Sequence, residues 1–166
     1  MQIHLEPITA QNRTQALALH VAPGQEAFVE TVSQCLDEAG QRRCWRPVGI
    51  YDRDTMVGFS MYGFFREYLP FGRLWLDRLL IDEAFQGKGY GKAALEALLD
   101  RLLQEYGRRK IYLSVIEGND AAIALYQKFG FQFNGDLDIH GEKVMVCHAR
   151  SHSTPQDPYV RIESPQ

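Results

Sequence analysis

The stretch LLIDEAFQGKGYGKAALEALLDRLLQEYG, Leu79 to Gly107, constrains this chain more than any other. An apolar run, Leu74 to Ile81, reads as a strand and stops at Asp82. After QGKGYG the pattern changes period. Ala94, Leu95, Leu98, Leu99, Leu102 and Leu103 form one stripe, while Lys92, Glu96, Asp100, Arg101 and Gln104 fall on the other side. That spacing predicts an amphipathic helix over 92–106. A second strand-like run, Lys110 to Ile116, follows the helix. Strand, crossover helix and strand make a parallel unit of right-handed connection, so the chain is an α/β protein.

The loop itself predicts chemistry. A helix start presents backbone N–H groups without intrahelical partners and the positive end of the helix dipole. Glycines let a ligand approach the backbone closely and tolerate the dihedrals that turn several N–H groups toward one point. Three glycines within five residues, with Lys88 and Lys92 beside them, predict a phosphate or pyrophosphate site. A P-loop is excluded because no Ser or Thr follows either lysine. The G-x-G-x-G spacing also departs from the dinucleotide fingerprint.

The rest of the chain fits one α/β domain over 1–150 followed by a polar, proline-bearing tail over 151–166. Ile3 to Ile8 alternates as a strand, and Thr9 is the expected cap of a helix reaching roughly Val21. Phe28, Val29, Val32 and Leu36 predict a second helix over 27–39, ended by Gly40. WRPVGIYD and MVGFSMYGFF flank the turn cluster Asp52-Arg53-Asp54-Thr55 and predict an antiparallel hairpin. Asn119 to Phe129 is the last helix, stopped by Gly130, and Phe131–Phe133 with Lys143–Cys147 close the sheet as a hairpin. The sheet is therefore mixed: antiparallel in the first half, parallel around the glycine loop.

Composition narrows the partners. The net charge of −3 offers no basic footprint for nucleic acid and mildly favours a small cation. No apolar run reaches the ~18 residues a membrane span needs, and no secretory signal opens the chain. Cys35, Cys44 and Cys147 are odd in number and without a C-x-x-C pair, which fits free thiols in a reducing cytoplasm. His148 and His152 beside Cys147 supply too few ligands for a metal, so none is expected.

Gln86-Gly87-Lys88-Gly89-Tyr90-Gly91 matches the Q/R-x-x-G-x-G/A signature of the GNAT superfamily of N-acetyltransferases, and NDAAIALYQKFGF matches the superfamily's L-Y-x-K-x-G-F element. The chain resembles that superfamily over roughly Leu74 to Phe133. VAPGQEAFV, WRPVGIYDRDTMVGFSMYG and WLDRLLIDEAFQGKGYGKAAL carry a finer resemblance to bacterial spermine/spermidine acetyltransferases.

The resemblance implies a single-domain GNAT fold in which acetyl-CoA lies where two parallel strands splay apart. Leu79, Leu80 and Ile81 would pair with the pantetheine arm. The N–H groups of Gln86, Gly87, Lys88, Gly89, Tyr90 and Gly91, with Lys92 at the rim, would hold the pyrophosphate. Asn119 looks like the contact on the far side of the arm, and Tyr126 like the general acid for the departing thiolate. Asp77 matches the strand position at which polyamine acetyltransferases carry a glutamate.

Acetyl transfer to an amine needs a neutral nucleophile, although an alkylammonium has a pKa of about 10. Asp77 can take that proton directly or through water. The acceptor, a small cationic amine, is expected against Glu26 and Trp45, with Tyr51, Tyr62 and Glu67 as further carboxylates and aromatic faces. Three alternatives stay open: a GNAT enzyme for another amine (an amino acid, an aminoglycoside or a protein N-terminus), a non-catalytic acetyl-CoA sensor, or a nucleotide-phosphate binder. A homodimer is also left open, seated on the last hairpin and tail.

Overall fold

A computed structural model describes residues 1–150. The expected tail over 151–166 lies outside the described residues. The strands are β1 (Ile3–Pro7), β2 (Trp45–Asp52), β3 (Thr55–Phe65), β4 (Arg73–Ile81), β5 (Lys110–Val115), β6 (Gln132–Leu137) and β7 (Lys143–His148). The helices are α1 (Arg13–Ala18), α2 (Val32–Gln41), α3 (Tyr90–Tyr106) and α4 (Asp120–Lys128).

The strands form one sheet in the order β1-β2-β3-β4-β5-β7-β6. Every pairing is antiparallel except β4 with β5. The α/β fold with a mixed sheet is the one expected, and β2–β3 turn through Arg53 at φ 53° as a tight hairpin.

The two faces of the sheet carry different cores. Ala94, Leu95, Leu98, Leu99 and Leu102 of α3 bury against Val48, Ile50, Val57, Leu74, Leu76, Ile111 and Leu113. The half-buried Ala122, Ile123, Leu125 and Tyr126 of α4 join that aliphatic face. On the other side, Ala16 of α1 and Val32, Cys35 and Leu36 of α2 cover a surface rich in rings: Trp45, Tyr51, Phe59, Phe65, Trp75 and Tyr112. The stripe on α3 is the expected one with two adjustments. Leu103 is half-buried, and Arg101 turns in far enough for its guanidinium to donate to Leu5 O at 3.0 Å.

The first two helices differ from the sequence expectation. α1 is six residues long and starts after Asn12, not Thr9. Asn12 accepts from Thr9 N at 2.8 Å and donates to Pro7 O at 3.0 Å, so the side chain closes a turn ahead of the helix. Past Ala18 the backbone is taken elsewhere: His20 N donates to Asp82 Oδ2 at 3.1 Å, and Glu83 N donates to His20 O at 2.9 Å. α2 starts at Val32 because Thr31 and Gln34 form a reciprocal capping box. Residues 21–31 are thereby left irregular, and Gly40 lies inside the helix instead of ending it.

Two irregularities of β4 set the geometry around Asp77. β4 and β5 pair only at Leu74–Ile111 and Trp75–Tyr112, after which they separate. On its other edge, Met61 of β3 is opposite Arg78 while Tyr62 is opposite Leu76, which leaves Asp77 as the extra residue of a β-bulge. Ser60 Oγ donates to Arg78 O at 2.5 Å and pins the bulge. Strict alternation would send Asp77 and Arg78 to opposite faces. The bulge sends both toward the α2 side, where Arg78 reaches Glu30 and Glu38.

Candidate active site

The split between β4 and β5 opens a cleft of about 790 Å³. Leu79, Leu80 and Ile81 form one wall, and Asn119 and Tyr126 at and in α4 form the other. Gln86, Gly87 and Gly91 close the end next to α3, and Glu26 and Asp77 also line the cleft. Leu79–Ile81 pair with β3 on one edge only, so their other edge has no strand partner among the described residues. That edge can hydrogen-bond an extended ligand as a further strand would.

The glycine loop has the backbone geometry that an anion site needs. Gly87 and Gly89 have φ of 71° and 87°, the left-handed region that side chains resist. Gly89 is the N-cap of α3, and its carbonyl accepts from Ala93 N at 3.2 Å. Gly91 allows close packing: a Cβ there would touch Leu125 Cδ2 of α4 at 3.5 Å.

Other loop residues make contacts within the protein. Gln86 N is already bonded to Glu83 O at 3.3 Å. Its side-chain amide instead donates to Ile81 O and to Gln25 Oε1, each at 2.9 Å, and ties residues 21–31 to the end of β4. Lys88 folds back, donating to Ala84 O at 2.6 Å. Tyr90 donates to Asp52 Oδ2 at 2.7 Å. Lys88, Gly89, Tyr90 and Lys92 are not among the cleft-lining residues.

Asp77 sits at the centre of the charge pattern. Its carboxylate pairs with the Arg78 guanidinium, which also binds Glu30 at 2.7 Å and Glu38 at 3.6 Å. Burial pushes the Asp77 carboxyl up to about 6; Arg78 works against that shift, and Glu38, Glu30 and Glu142 add to it. Burial disfavours the Arg78 cation, yet Asp77 and Glu30 outweigh it and hold the guanidinium charged. Tyr126 packs edge-on against Phe131 at 5.8 Å, and burial pushes its hydroxyl up to about 12.

A smaller pocket of about 90 Å³ adjoins the cleft. Asp77, Arg78, Ser114 and Glu142 line both. Beyond that shared wall the pocket is bounded by Trp45, Phe65, Tyr68 and Trp75, with Glu38 on α2 and Asp138 and His140 on the β6–β7 connection. The two acceptor residues expected from sequence are thus separated. Glu26 lies in the cleft and accepts from Gly24 N at 2.7 Å, while Trp45 lies in the smaller pocket. Tyr51, Tyr62 and Glu67 line neither. Tyr51 and Tyr62 are buried core, with Tyr62 bonded to Glu105 at 2.7 Å, and Glu67 pairs with Arg42. Sequence reasoning does not single out Glu38, Glu142, Asp138, Tyr68 or Trp75. The acidic turn Asp138 to Glu142 is the one signal that could have suggested part of this set.

Comparison with known proteins decides the family. The model of the acetyltransferase (GNAT) family matches residues 11–131. The chain belongs to the GNAT acetyltransferase family. It is 49% identical over 149 residues to the spermine/spermidine N(1)-acetyltransferase of Bacillus subtilis (strain 168), covering 88% of this chain and 98% of the relative. Two solved structures share the GNAT fold at low identity. A spermidine N-acetyltransferase from Vibrio cholerae, in complex with CoA and spermine, aligns with TM-score 0.65 and 17% identity over 87% of this chain and 93% of its own. An aminoglycoside acetyltransferase in complex with coenzyme A aligns with TM-score 0.74 and 19% identity over 89% and 95%. This GNAT chain is therefore an N-acetyltransferase by family. Among its described residues no helix is long and apolar enough to cross a membrane.

Proposed function

We propose that this GNAT enzyme transfers the acetyl group of acetyl-CoA to a primary amine of a polyamine such as spermidine or spermine. The observation that carries the reading is the position of Asp77: it belongs both to the large cleft and to the smaller acidic, ring-lined pocket. The residues present suit a CoA thioester. The unpaired edge of Leu79–Ile81 matches the amide-bearing arm, and the positive-φ glycines before α3 match a pyrophosphate. The 49% identity to a spermine/spermidine acetyltransferase supports a polyamine acceptor.

In this reading the thioester supplies an activated acetyl carbonyl, and the chain does the rest. Asp77 accepts the proton of the incoming ammonium, directly or through water, so that its nitrogen lone pair can attack. A carboxyl held at about 6 is mostly ionised near neutral pH and is a stronger base than an ordinary aspartate. A backbone N–H near Leu79 donates to the carbonyl oxygen as it gains charge. The Tyr126 hydroxyl, held up to about 12, stays protonated and donates to the departing sulfur. Asn119 caps the opposite wall: its side chain makes no cap bond and is left to meet the arm.

The test is CoA release from acetyl-CoA against spermine, spermidine, putrescine, lysine, an aminoglycoside and a short peptide. The reading expects the polyamines to have the highest kcat/KM. Equal or better turnover of lysine, aminoglycoside or peptide would refute the acceptor. Absence of CoA binding by calorimetry would refute the cofactor.

A further inference from the structure

The smaller pocket has features that proton abstraction at Asp77 does not use. Glu38 and Asp138 line it and do not line the cleft, whereas Asp77 and Glu142 belong to both. The pocket's cations are largely spoken for. Arg42 is engaged by Glu67, and Arg78 is shared among Asp77, Glu30 and Glu38. Asp138 and Glu142 have no ion-pair partner among the described residues. Asp138 Oδ1 accepts from His140 N and Glu142 N, at 2.8 and 2.9 Å, which fixes the carboxylate at the pocket without neutralising it.

The walls around these charges are rings. Trp45 and Phe65 meet edge to face at 4.6 Å, Tyr68 and Trp75 approach at 6.1 Å, and the Arg42 guanidinium already lies 4.8 Å over the Phe65 ring. Trp45 is 8% exposed, and its indole Nε1 has no hydrogen-bond partner.

We infer that the smaller pocket binds a second ammonium of the acceptor, held by Glu38 and Asp138 against the Trp45–Trp75 ring walls, and that this contact sets the preference for linear amines carrying two or more positive charges. The inference rests on the acetyl-transfer reading above. Asp77 and Glu142, at the junction, serve the amine that reacts. Glu38 and Asp138, beyond it, serve the amine that does not. An acceptor with one ammonium fills the junction and leaves Asp138 without a cation and Glu38 with only its share of Arg78 at 3.6 Å. Rings suit this place because they attract a cation by their faces while keeping the pocket narrow.

The experiment compares spermidine with n-butylamine as acceptors, at saturating acetyl-CoA, in the wild type and in Glu38→Gln, Asp138→Asn and Glu142→Gln. Asn at 138 retains an acceptor oxygen for the two backbone N–H groups and so preserves the turn. The expected result is a rise in the spermidine KM with kcat nearly constant for Glu38→Gln and Asp138→Asn. The ratio of kcat/KM for spermidine over n-butylamine falls about tenfold, the size of one lost charge-assisted contact. Glu142→Gln lowers both acceptors together and leaves that ratio near its wild-type value. An unchanged ratio in Glu38→Gln and Asp138→Asn overturns the second-ammonium site while acetyl transfer to amines stands. A wild type that uses n-butylamine as well as spermidine also overturns it. A wild type that acetylates neither amine removes the underlying reading, and the inference with it.

Discussion

The two faces of the sheet teach different lessons. Under α3 the packing is aliphatic: Ala94, Leu95, Leu98, Leu99 and Leu102 meet strand residues of the same kind, and the site touches this face only at its α4 edge, through Tyr126. Under α2 the packing is made of rings, and its edge runs into an acidic pocket through Trp45, Phe65 and Trp75. The leucine stripe of the first face lines neither pocket and can be optimised for stability alone. The second uses the same side chains as core and as binding wall, so its residues answer to two demands. Substitutions should therefore separate the faces by what they damage.

The largest expected separation comes from Asp77→Asn. Loss of the base should lower kcat/KM for spermidine by about 10²–10⁴-fold, with CoA affinity by calorimetry unchanged. If CoA binding fell in parallel, Asp77 would be a structural member of the cleft and the contrast would weaken. Next comes its mirror image on the aliphatic face. Leu98, fully buried in that face, should lose about 2–5 kcal/mol on Leu98→Ala in denaturant unfolding, with KM values preserved in the folded fraction. A change in acceptor KM would mean that the faces are coupled.

Tyr126→Phe comes third, with an expected loss of about 10²-fold in kcat and little change in Tm, because its burial against Phe131 is kept when the hydroxyl is removed. The pH profile is a smaller test. In the proposed role Asp77 acts unprotonated, and its carboxyl is raised to about 6, so kcat/KM should fall tenfold per pH unit below that value. Above it, kcat/KM should level off until the amine itself loses its proton, and the acid limb should vanish in Asp77→Asn. The smallest effect is Gly89→Ala. A Cβ there meets no atom within 4 Å, so only the positive φ of 87° opposes it. The expected cost is about 1–2 kcal/mol, read as weaker CoA binding and a slightly lower Tm.

The glycine loop and α3 are legible in the sequence because their signals are local: a change of period, a cluster of glycines and a leucine stripe within about thirty residues. The β2–β3 hairpin is legible for the same reason. The helix expected over 27–39 misleads because Phe28 and Val29 keep helical spacing with Val32, while the capping box at Thr31 starts the helix only at Val32. Asp77 is reached through resemblance, but its shared place in two cavities is not. That depends on pairing with Met61 and Tyr62, which no local pattern encodes. Glu38 and Asp138 come from α2 and from the β6–β7 connection, so only the folded chain makes them neighbours. Gln86 has a further part that the motif does not announce: its side-chain amide ties Gln25 to the end of β4.

The bulge at Asp77 makes the site depend on parity as well as on identity. β4 carries one residue more than β3 allots it, and that surplus puts an acid and its guanidinium on the same side of a pleated strand. A library of substitutions across β4 would test the letters and never the count. Removing a single residue from this strand would leave its composition almost intact. It would still return Asp77 and Arg78 to opposite sides and dissolve the ion pair between them.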